Sequence, residues 1–197
     1  MKWILALSLL LSACSSKDKK PCPCAEQVAT WSDKGQAEEI KKIIEGFGVQ
    51  TLFDLSARDI GALQELNLPL NHYIGATTQS DQLEKLRAGF GSPSLTFFNH
   101  DLASDPMPEA DLVLLWDQLN CLSPSEIRSA LLFVKKSGAR FVLMAHDGSC
   151  TKNHKSKHGE PRPINWQLAP YEFPKPLIEI NSSNQRSLAL WSCDELP

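Results

Sequence analysis

Strands that are apolar along their whole length alternate with amphipathic helices through most of this chain. The clearest case is residues 111–116, where only apolar residues stand between Asp111 and Asp117. A strand without polar alternation is buried on both faces, as in a parallel sheet covered by helices. The predicted strands are residues 51–55, 72–76, 95–98, 111–116 and 140–145. The sequence therefore predicts a doubly wound α/β domain with a mostly parallel sheet.

Helical periodicity and helix-end signals separate these strands. The predicted helices cover residues 33–47, with Ser32 as the N-cap, and residues 59–66, 80–88 and 124–137. The first ends at Gly48 in the C-cap position, and the last opens on a capping box of Ser123 and Glu126. Residues 177–180 and 188–191 flank a polar turn with no helix between them, which predicts a C-terminal antiparallel hairpin.

The length and net charge of the chain indicate a single-domain protein and give no sign of nucleic-acid binding. The 197 residues carry a formal net charge of −3, which becomes −4 if Lys2 is removed with a signal peptide. No basic stripe interleaved with aromatic residues is present, so nothing indicates a nucleic-acid partner. The length suffices for one domain with a sizeable core, which we assign to residues 31–197.

The first residues differ in composition from the rest. Lys2 precedes an apolar stretch, residues 3–11, that is too short to span a bilayer as a stable helix. The stretch closes on Leu11-Ser12-Ala13-Cys14, which resembles the lipobox of bacterial lipoproteins. The alternatives are an ordinary secretory signal with a chance cysteine and a membrane-spanning helix, the latter disfavoured by the polar residues 15–20.

The lipobox resemblance implies a processed and anchored protein. Residues 1–13 would be removed as a signal peptide, Cys14 would be acylated, and residues 14–30 would form a lipidated tether. Each buried methylene adds about 0.8 kcal/mol, so two or more acyl chains hold a protein on a membrane. Ser15, rather than Asp, favours the outer membrane in such lipoproteins. We therefore expect a cell-envelope protein, lipid-anchored on the periplasmic face of the outer membrane.

The cysteines fit an oxidising compartment. Of the six, acylation of Cys14 leaves five, so at least one cannot pair within the chain. Cys121 and Cys150 both follow predicted central strands, which makes them a candidate disulfide. The rival interpretation is a zinc site with the ligands His146, His154, His158 and Cys150, although we expect no metal.

Polar residues follow several of the predicted strands directly. In an open α/β sheet, ligands bind beyond the carboxyl ends of the strands, near the switch in strand order. Each such residue alone is as consistent with helix capping or loop hydrogen bonds as with a ligand site. Together they predict a pocket: Asp54, Asp59, Thr77, Asp101, Asp117, His146 and Asp147.

Residues 111–145 resemble the fourth strand, following helix and fifth strand of the Rossmann-like, S-adenosylmethionine-dependent methyltransferases. The resemblance rests on DLVLLWDQL, LSPSEIRSAL and SGARFVLM, and on PINWQLAP and FPKPL before the hairpin. It covers roughly residues 31–191. It implies S-adenosylmethionine as the cofactor.

The resemblance also implies residue roles. Asp101 corresponds to the residue that meets the adenine amino group, and Asp117 lies in the motif near the reacting methyl. Arg58 stands where one branch of the family carries a glycine in a left-handed turn, and Thr77 stands where an acidic residue binds the ribose hydroxyls. The implied cofactor-binding residues are Asp54, Ser56, Ala57, Arg58, Asp59, Thr77, Asp101 and Leu102, and the acceptor-side residues are Asp117 and Gln118.

Two functions of different class follow. The substitutions at Arg58 and Thr77, with the export signal, favour a membrane-anchored, non-catalytic module that binds a small molecule or an envelope protein. The alternative is an active S-adenosylmethionine-dependent methyltransferase with an unknown acceptor.

Overall fold

A computed structural model describes residues 31–181 and 187–197. In chain order the elements are α1 (Lys34–Phe47), β1 (Thr51–Asp54), α2 (Ile60–Glu65), β2 (His72–Thr77), α3 (Ser80–Phe90), β3 (Leu95–Asn99), β4 (Leu112–Leu115), a 3₁₀ turn (Gln118–Cys121), α4 (Pro124–Lys136), β5 (Phe141–His146), β6 (Ile178–Ile180), β7 (Ser187–Ser192) and a 3₁₀ turn (Cys193–Glu195). The predicted signal peptide (residues 1–13), Cys14 and the predicted tether (residues 14–30) lie outside the described residues.

The strands form one seven-stranded sheet in the order β3-β2-β1-β4-β5-β7-β6. β1 to β5 are parallel, while β7 runs antiparallel to both β5 and β6. The strand order reverses between β1 and β4, where the two halves of the domain meet. The doubly wound fold and the C-terminal antiparallel hairpin predicted from the sequence are confirmed.

Two hydrophobic clusters, one on each face of the sheet, explain why the strands lack polar alternation. In β1, Leu52 packs into the cluster that contains α1, while Phe53 packs into the cluster that contains α4. The four residues of β4 are all buried and divide between the clusters in the same way. Each strand therefore needs apolar side chains on both faces.

The helix ends follow from local chemistry. The side chain of Asp33, not Ser32, caps α1 by accepting a hydrogen bond from the amide of Gln36 at 3.2 Å, so the helix begins one residue later than predicted. Gly48 ends it with a left-handed backbone (φ 62°), as predicted. The capping box of α4 is confirmed, since the Ser123 amide donates to Glu126 Oε2 at 2.7 Å.

A long irregular segment between β5 and β6, residues 147–177, covers the carboxyl ends of β4 and β5; we call it the cap segment. Trp166 within it is fully buried, and its indole nitrogen donates to the carbonyl of Ala145 at 2.7 Å. The amide of Gly159 donates to the carbonyl of Cys121 at 2.7 Å. The cap segment is therefore fixed onto the turn that follows β4.

Within residues 31–181 and 187–197, no helix combines the length and the apolar character needed to cross a membrane.

Candidate functional site

Asp54, the last residue of β1, lies at the carboxyl edge of the sheet and is fully buried. Its Oδ2 accepts hydrogen bonds from the indole of Trp31 and the hydroxyl of Tyr73, both at 2.8 Å. Its Oδ1 accepts from the amide of Ser56 at 2.7 Å and the indole of Trp116 at 3.2 Å. A carboxylate offers about four lone-pair sites, and these four donors use them all.

Electrostatics around Asp54 reflect this enclosure. Burial raises the pKa of Asp54, while the hydrogen bonds from Ser56, Trp31, Tyr73 and Trp116 act in the opposite direction. Burial also raises the pKa of Tyr73 well above its usual value, and the neighbouring Asp54 charge adds to that shift. Tyr73 therefore stays protonated and donates to the carboxylate. The group is a closed internal network.

The turn after β1 lies directly against β2. The amide of Ala57 donates to the carbonyl of Ala76 at 3.2 Å, and the side-chain amide of Gln82 donates to the Ala57 carbonyl at 3.1 Å. A Cβ placed on Gly75 would come within 2.8 Å of the Ala57 Cβ and 2.7 Å of the Phe97 ring. Only glycine at this position allows so close an approach. The turn thus closes the space between the ends of β1 and β2.

The expectation that Arg58 takes a left-handed conformation is wrong. The positive φ in this turn belongs to the exposed residue Asp59 (φ 51°), which precedes α2 and makes no side-chain capping bond. Asp tolerates this conformation better than Arg because its short polar side chain can hydrogen-bond locally. Arg58 is half-buried, and Ser56 and Ala57 beside it are buried.

Thr77, at the end of β2, is engaged in local hydrogen bonds. Its hydroxyl accepts from the amide of Gln79 at 3.1 Å and donates to Gln82 Oε1 at 3.1 Å. Because Gln82 also reaches the Ala57 carbonyl, one chain of hydrogen bonds joins the ends of β1 and β2. Thr77 thus helps to position α3.

Asp101 and Leu102 lie in the turn after β3. The Asp101 carboxylate accepts a hydrogen bond from the backbone amide of Ala103 at 3.0 Å. The backbone amide of Asp101 donates to Asp105 Oδ2 at 2.8 Å. Leu102 is buried in the hydrophobic cluster on the α4 face. These contacts fix the turn after β3.

Asp117 and Gln118 lie on the other side of the strand-order reversal, after β4. Asp117 is buried and precedes the 3₁₀ turn, with Oδ1 3.4 Å from the side-chain nitrogen of Asn120. Gln118 is half-buried, and its Oε1 is buried without a hydrogen-bond partner in the structure. This side of the edge therefore retains unused hydrogen-bonding capacity.

The predicted disulfide between Cys121 and Cys150 is wrong. Cys121 is disulfide-bonded, but Cys150 and Cys193 are free thiols. The Cys150 thiol lies 3.1 Å from the carbonyl of Lys152 in its own loop. Burial raises the pKa of Cys193 to about 12, so this thiol stays protonated.

Two histidines of the alternative zinc site have other contacts. His146 is buried, and its Nδ1 lies 3.4 Å from the amide of Trp166, while His158 Nδ1 lies 3.0 Å from Glu126 Oε1. Over the described ranges, no three residues among His, Cys, Asp and Glu are grouped so as to hold a metal ion.

The sequence interpretation placed Asp54 and Asp117 correctly at one edge of the sheet, but it missed four residues around them. Trp31, Tyr73 and Trp116 complete the network of Asp54, and Arg162 of the cap segment lies beside the turn after Asp117. These contacts join residues 19 to 62 positions apart, so the local sequence gives no signal for them.

Comparison with solved structures identifies proteins that share this fold. No sequence-family model and no curated protein sequence matches the chain. Among solved structures, the chain is similar to the N-methyltransferase NodS from Bradyrhizobium japonicum, with a TM-score of 0.58, 9% identity, and coverage of 82% of this chain and 96% of that one. Human N-acetylserotonin methyltransferase, solved with S-adenosylmethionine, gives a TM-score of 0.58 at 13% identity.

That second match covers 82% of this chain but 52% of the human enzyme, so the chain spans about half of its length. An O-methyltransferase family protein from Burkholderia thailandensis gives a TM-score of 0.52 at 17% identity, over 80% of this chain and 56% of that one. The TM-scores of 0.52–0.58 show a common fold, while identities of 9–17% leave the activity open. The chain has the Rossmann-like fold of the class I S-adenosylmethionine-dependent methyltransferases.

Proposed function

We propose that this protein is a lipid-anchored, non-catalytic binding module of the cell envelope, built on a methyltransferase fold whose cofactor site has been closed. The anchor is Cys14, and the envelope location follows from the lipobox resemblance. The bound partner is a small molecule or an envelope protein. No nucleic acid is involved.

The observation that carries this proposal is the saturation of Asp54. Its four acceptor positions are used by Trp31, Tyr73, Trp116 and Ser56, and the carboxylate is fully buried. A cofactor group could bind it only by displacing one of these donors, which leaves a buried polar group unsatisfied at about 1–3 kcal/mol.

The residue at the expected ribose-binding position, Thr77, is also unsuited to bind the cofactor. Thr77 stands at the position where the resemblance implies a ribose-binding acid, and its hydroxyl is already bonded to Gln79 and Gln82. The turn after β1 also lies against β2, since Ala57 packs directly on Gly75. On this proposal, Asp54 and Thr77 are therefore not available to bind S-adenosylmethionine.

The test is calorimetric titration of the full-length protein with S-adenosylmethionine and with its demethylated product. We expect no saturable heat at millimolar ligand. Micromolar binding of either ligand would overturn the closed-site interpretation.

One observation favours the alternative, an active methyltransferase. Asp117 and Gln118 stand at the position that the resemblance assigns to the acceptor side, and Gln118 Oε1 is unused. Transfer of a radiolabelled methyl group from S-adenosylmethionine to envelope extracts, lost in Asp117→Asn, would establish this alternative.

The anchor is tested separately. We expect growth with radiolabelled palmitate to label the wild-type protein and not Cys14→Ser, and the label to co-fractionate with the outer membrane on a density gradient. Equal labelling of Cys22→Ser provides the control. An unlabelled wild-type protein would rule out the lipoprotein assignment.

A further inference from the structure

Arg162 of the cap segment is held against the turn that follows β4. Its exposed fraction is 9%, and its backbone amide donates to the carbonyl of Asn120 at 3.1 Å. Its Nη1 donates to the carbonyl of Leu122 at 2.8 Å and approaches the Asn120 carbonyl at 3.4 Å. These contacts fix the guanidinium against the 3₁₀ turn Gln118–Cys121, at the edge where α/β sheets bind ligands.

The charge of Arg162 is not balanced by an ion pair among the described residues. The ion pairs present there join Lys42 with Glu39, Arg140 with Asp111, and His158 with Glu126. Carbonyl oxygens accept from Arg162 but do not neutralise it. A buried cation without a carboxylate is unfavourable, and a bound anion removes that cost.

Three buried polar atoms around this turn have no hydrogen-bond partner in the described structure. They are Nη2 of Arg162, Oε1 of Gln118 and Oδ1 of Asn120. The side-chain nitrogen of Asn120 lies 3.4 Å from Asp117 Oδ1, which leaves the amide oxygen directed elsewhere. The turn therefore presents one cationic donor and two neutral acceptors, whereas buried polar groups are nearly always paired.

We propose that Arg162, Gln118 and Asn120 form a subsite for an anionic ligand group, a carboxylate or a phosphate, next to an N–H or O–H donor of the same ligand. The two hydrogens of Arg162 Nη2 bind the anion, because guanidinium matches the geometry of carboxylate and phosphate oxygens. The ligand's donor binds Oε1 of Gln118. This deepens the proposed function, on which it rests, by naming the chemistry of the small molecule.

The experiment titrates the full-length protein with glycolate, which carries a carboxylate beside a hydroxyl, and with inorganic phosphate. Binding is followed by the side-chain amide NMR resonances of Gln118 and Asn120 and by the melting temperature. We expect saturable shifts with at least one of the two anions and none with glycolamide, the neutral analogue. Which anion binds more tightly distinguishes a carboxylate ligand from a phosphate ligand.

Variants connect the binding to Arg162. Arg162→Gln should weaken anion binding about tenfold or more, since a charge-assisted hydrogen bond is lost, and Arg162→Lys should recover part of it. Arg140→Gln is the matched control, because Arg140 is half-exposed and lies before β5, at the opposite end of the strand. It should bind like the wild type.

Gln118→Leu keeps the hydrogen bonds of Arg162 and serves if Arg162→Gln does not fold. This variant should bind glycolate more weakly than the wild type does, and it should bind acetate, which has no hydroxyl, equally well. No saturable binding of either anion, equal binding in Arg162→Gln, or unchanged glycolate binding in Gln118→Leu would each overturn the subsite.

These outcomes are independent of the cofactor test. Anion binding together with methyl transfer from S-adenosylmethionine would overturn the closed-site proposal and keep the subsite. Absence of both cofactor binding and anion binding would keep the closed site and overturn the subsite.

Discussion

The two halves of the sheet edge use their polar groups differently. At the ends of β1 and β2, Asp54 binds four donors and Thr77 binds two glutamines, so these polar groups are satisfied within the protein. After β4, Gln118, Asn120 and Arg162 each retain a buried atom without a partner in the described structure. The same fold thus has one half that is closed by internal hydrogen bonds and one half with capacity for a ligand.

The largest effect should come from removing the centre of the closed half. Asp54→Ala leaves two indoles, a hydroxyl and an amide without their acceptor, and should lower the free energy of unfolding by about 3–5 kcal/mol. Urea denaturation measures the loss. Asp101→Ala, in a partly exposed turn, is the control and should cost about 1 kcal/mol or less. If Asp54→Ala lowered the free energy of unfolding by no more than Asp101→Ala does, the hydrogen-bond network of Asp54 would not distinguish this half of the sheet edge.

A single donor should matter less. Trp31→Phe removes one hydrogen bond to the carboxylate and should cost about 1–3 kcal/mol. Trp191→Phe removes a bond to the carbonyl of Pro174, a neutral acceptor, and should cost less. Equal losses in the two variants, measured by the same denaturation, would mean that the Asp54 charge adds nothing to the network.

The close approach of the β1 turn to β2 can be tested with Gly75→Ala. The added Cβ would meet Phe97 at 2.7 Å and Ala57 at 2.8 Å, and such overpacking should cost about 1–3 kcal/mol. Ala57→Gly in the same chain should recover part of this loss. Gly46→Ala in α1 meets nothing within 4 Å and should instead stabilise the protein by up to about 1 kcal/mol. Thermal melting distinguishes these outcomes.

The smallest expected effect is the pH dependence of stability that is caused by His146, at the end of β5. Burial lowers the pKa of His146, so below its usual value of 6.5 the unfolded chain binds the proton more readily than the folded one. Stability should therefore fall as pH decreases from 7 toward 5. His146→Gln should flatten this dependence, measured by melting temperature against pH. An unchanged slope would show that other groups cause it.

Much of the fold could be predicted because its signals are local. The apolar run at residues 111–116 predicted β4, and Ser123 with Glu126 predicted the start of α4. The position of Asp54 at the sheet edge followed from where its strand ends.

The environment of the site could not be predicted in the same way. Three of the four partners of Asp54 lie 23, 19 and 62 residues away, so their convergence depends on tertiary packing. The left-handed residue was misplaced by one position, at Arg58 instead of Asp59, because the turn conformation is decided by contacts with β2. The pairing of Cys121 with Cys150 failed because following neighbouring strands does not bring two thiols together.

The strand that comes last in the chain does not lie at the end of the sheet. β7 fits between β5 and β6 and supplies the hydrogen-bonding partner of both. Until residues 187–192 have been synthesised, β5 has an unpaired edge and the sheet cannot be completed. For the exported protein proposed here, the domain can therefore form only after β7 has been synthesised.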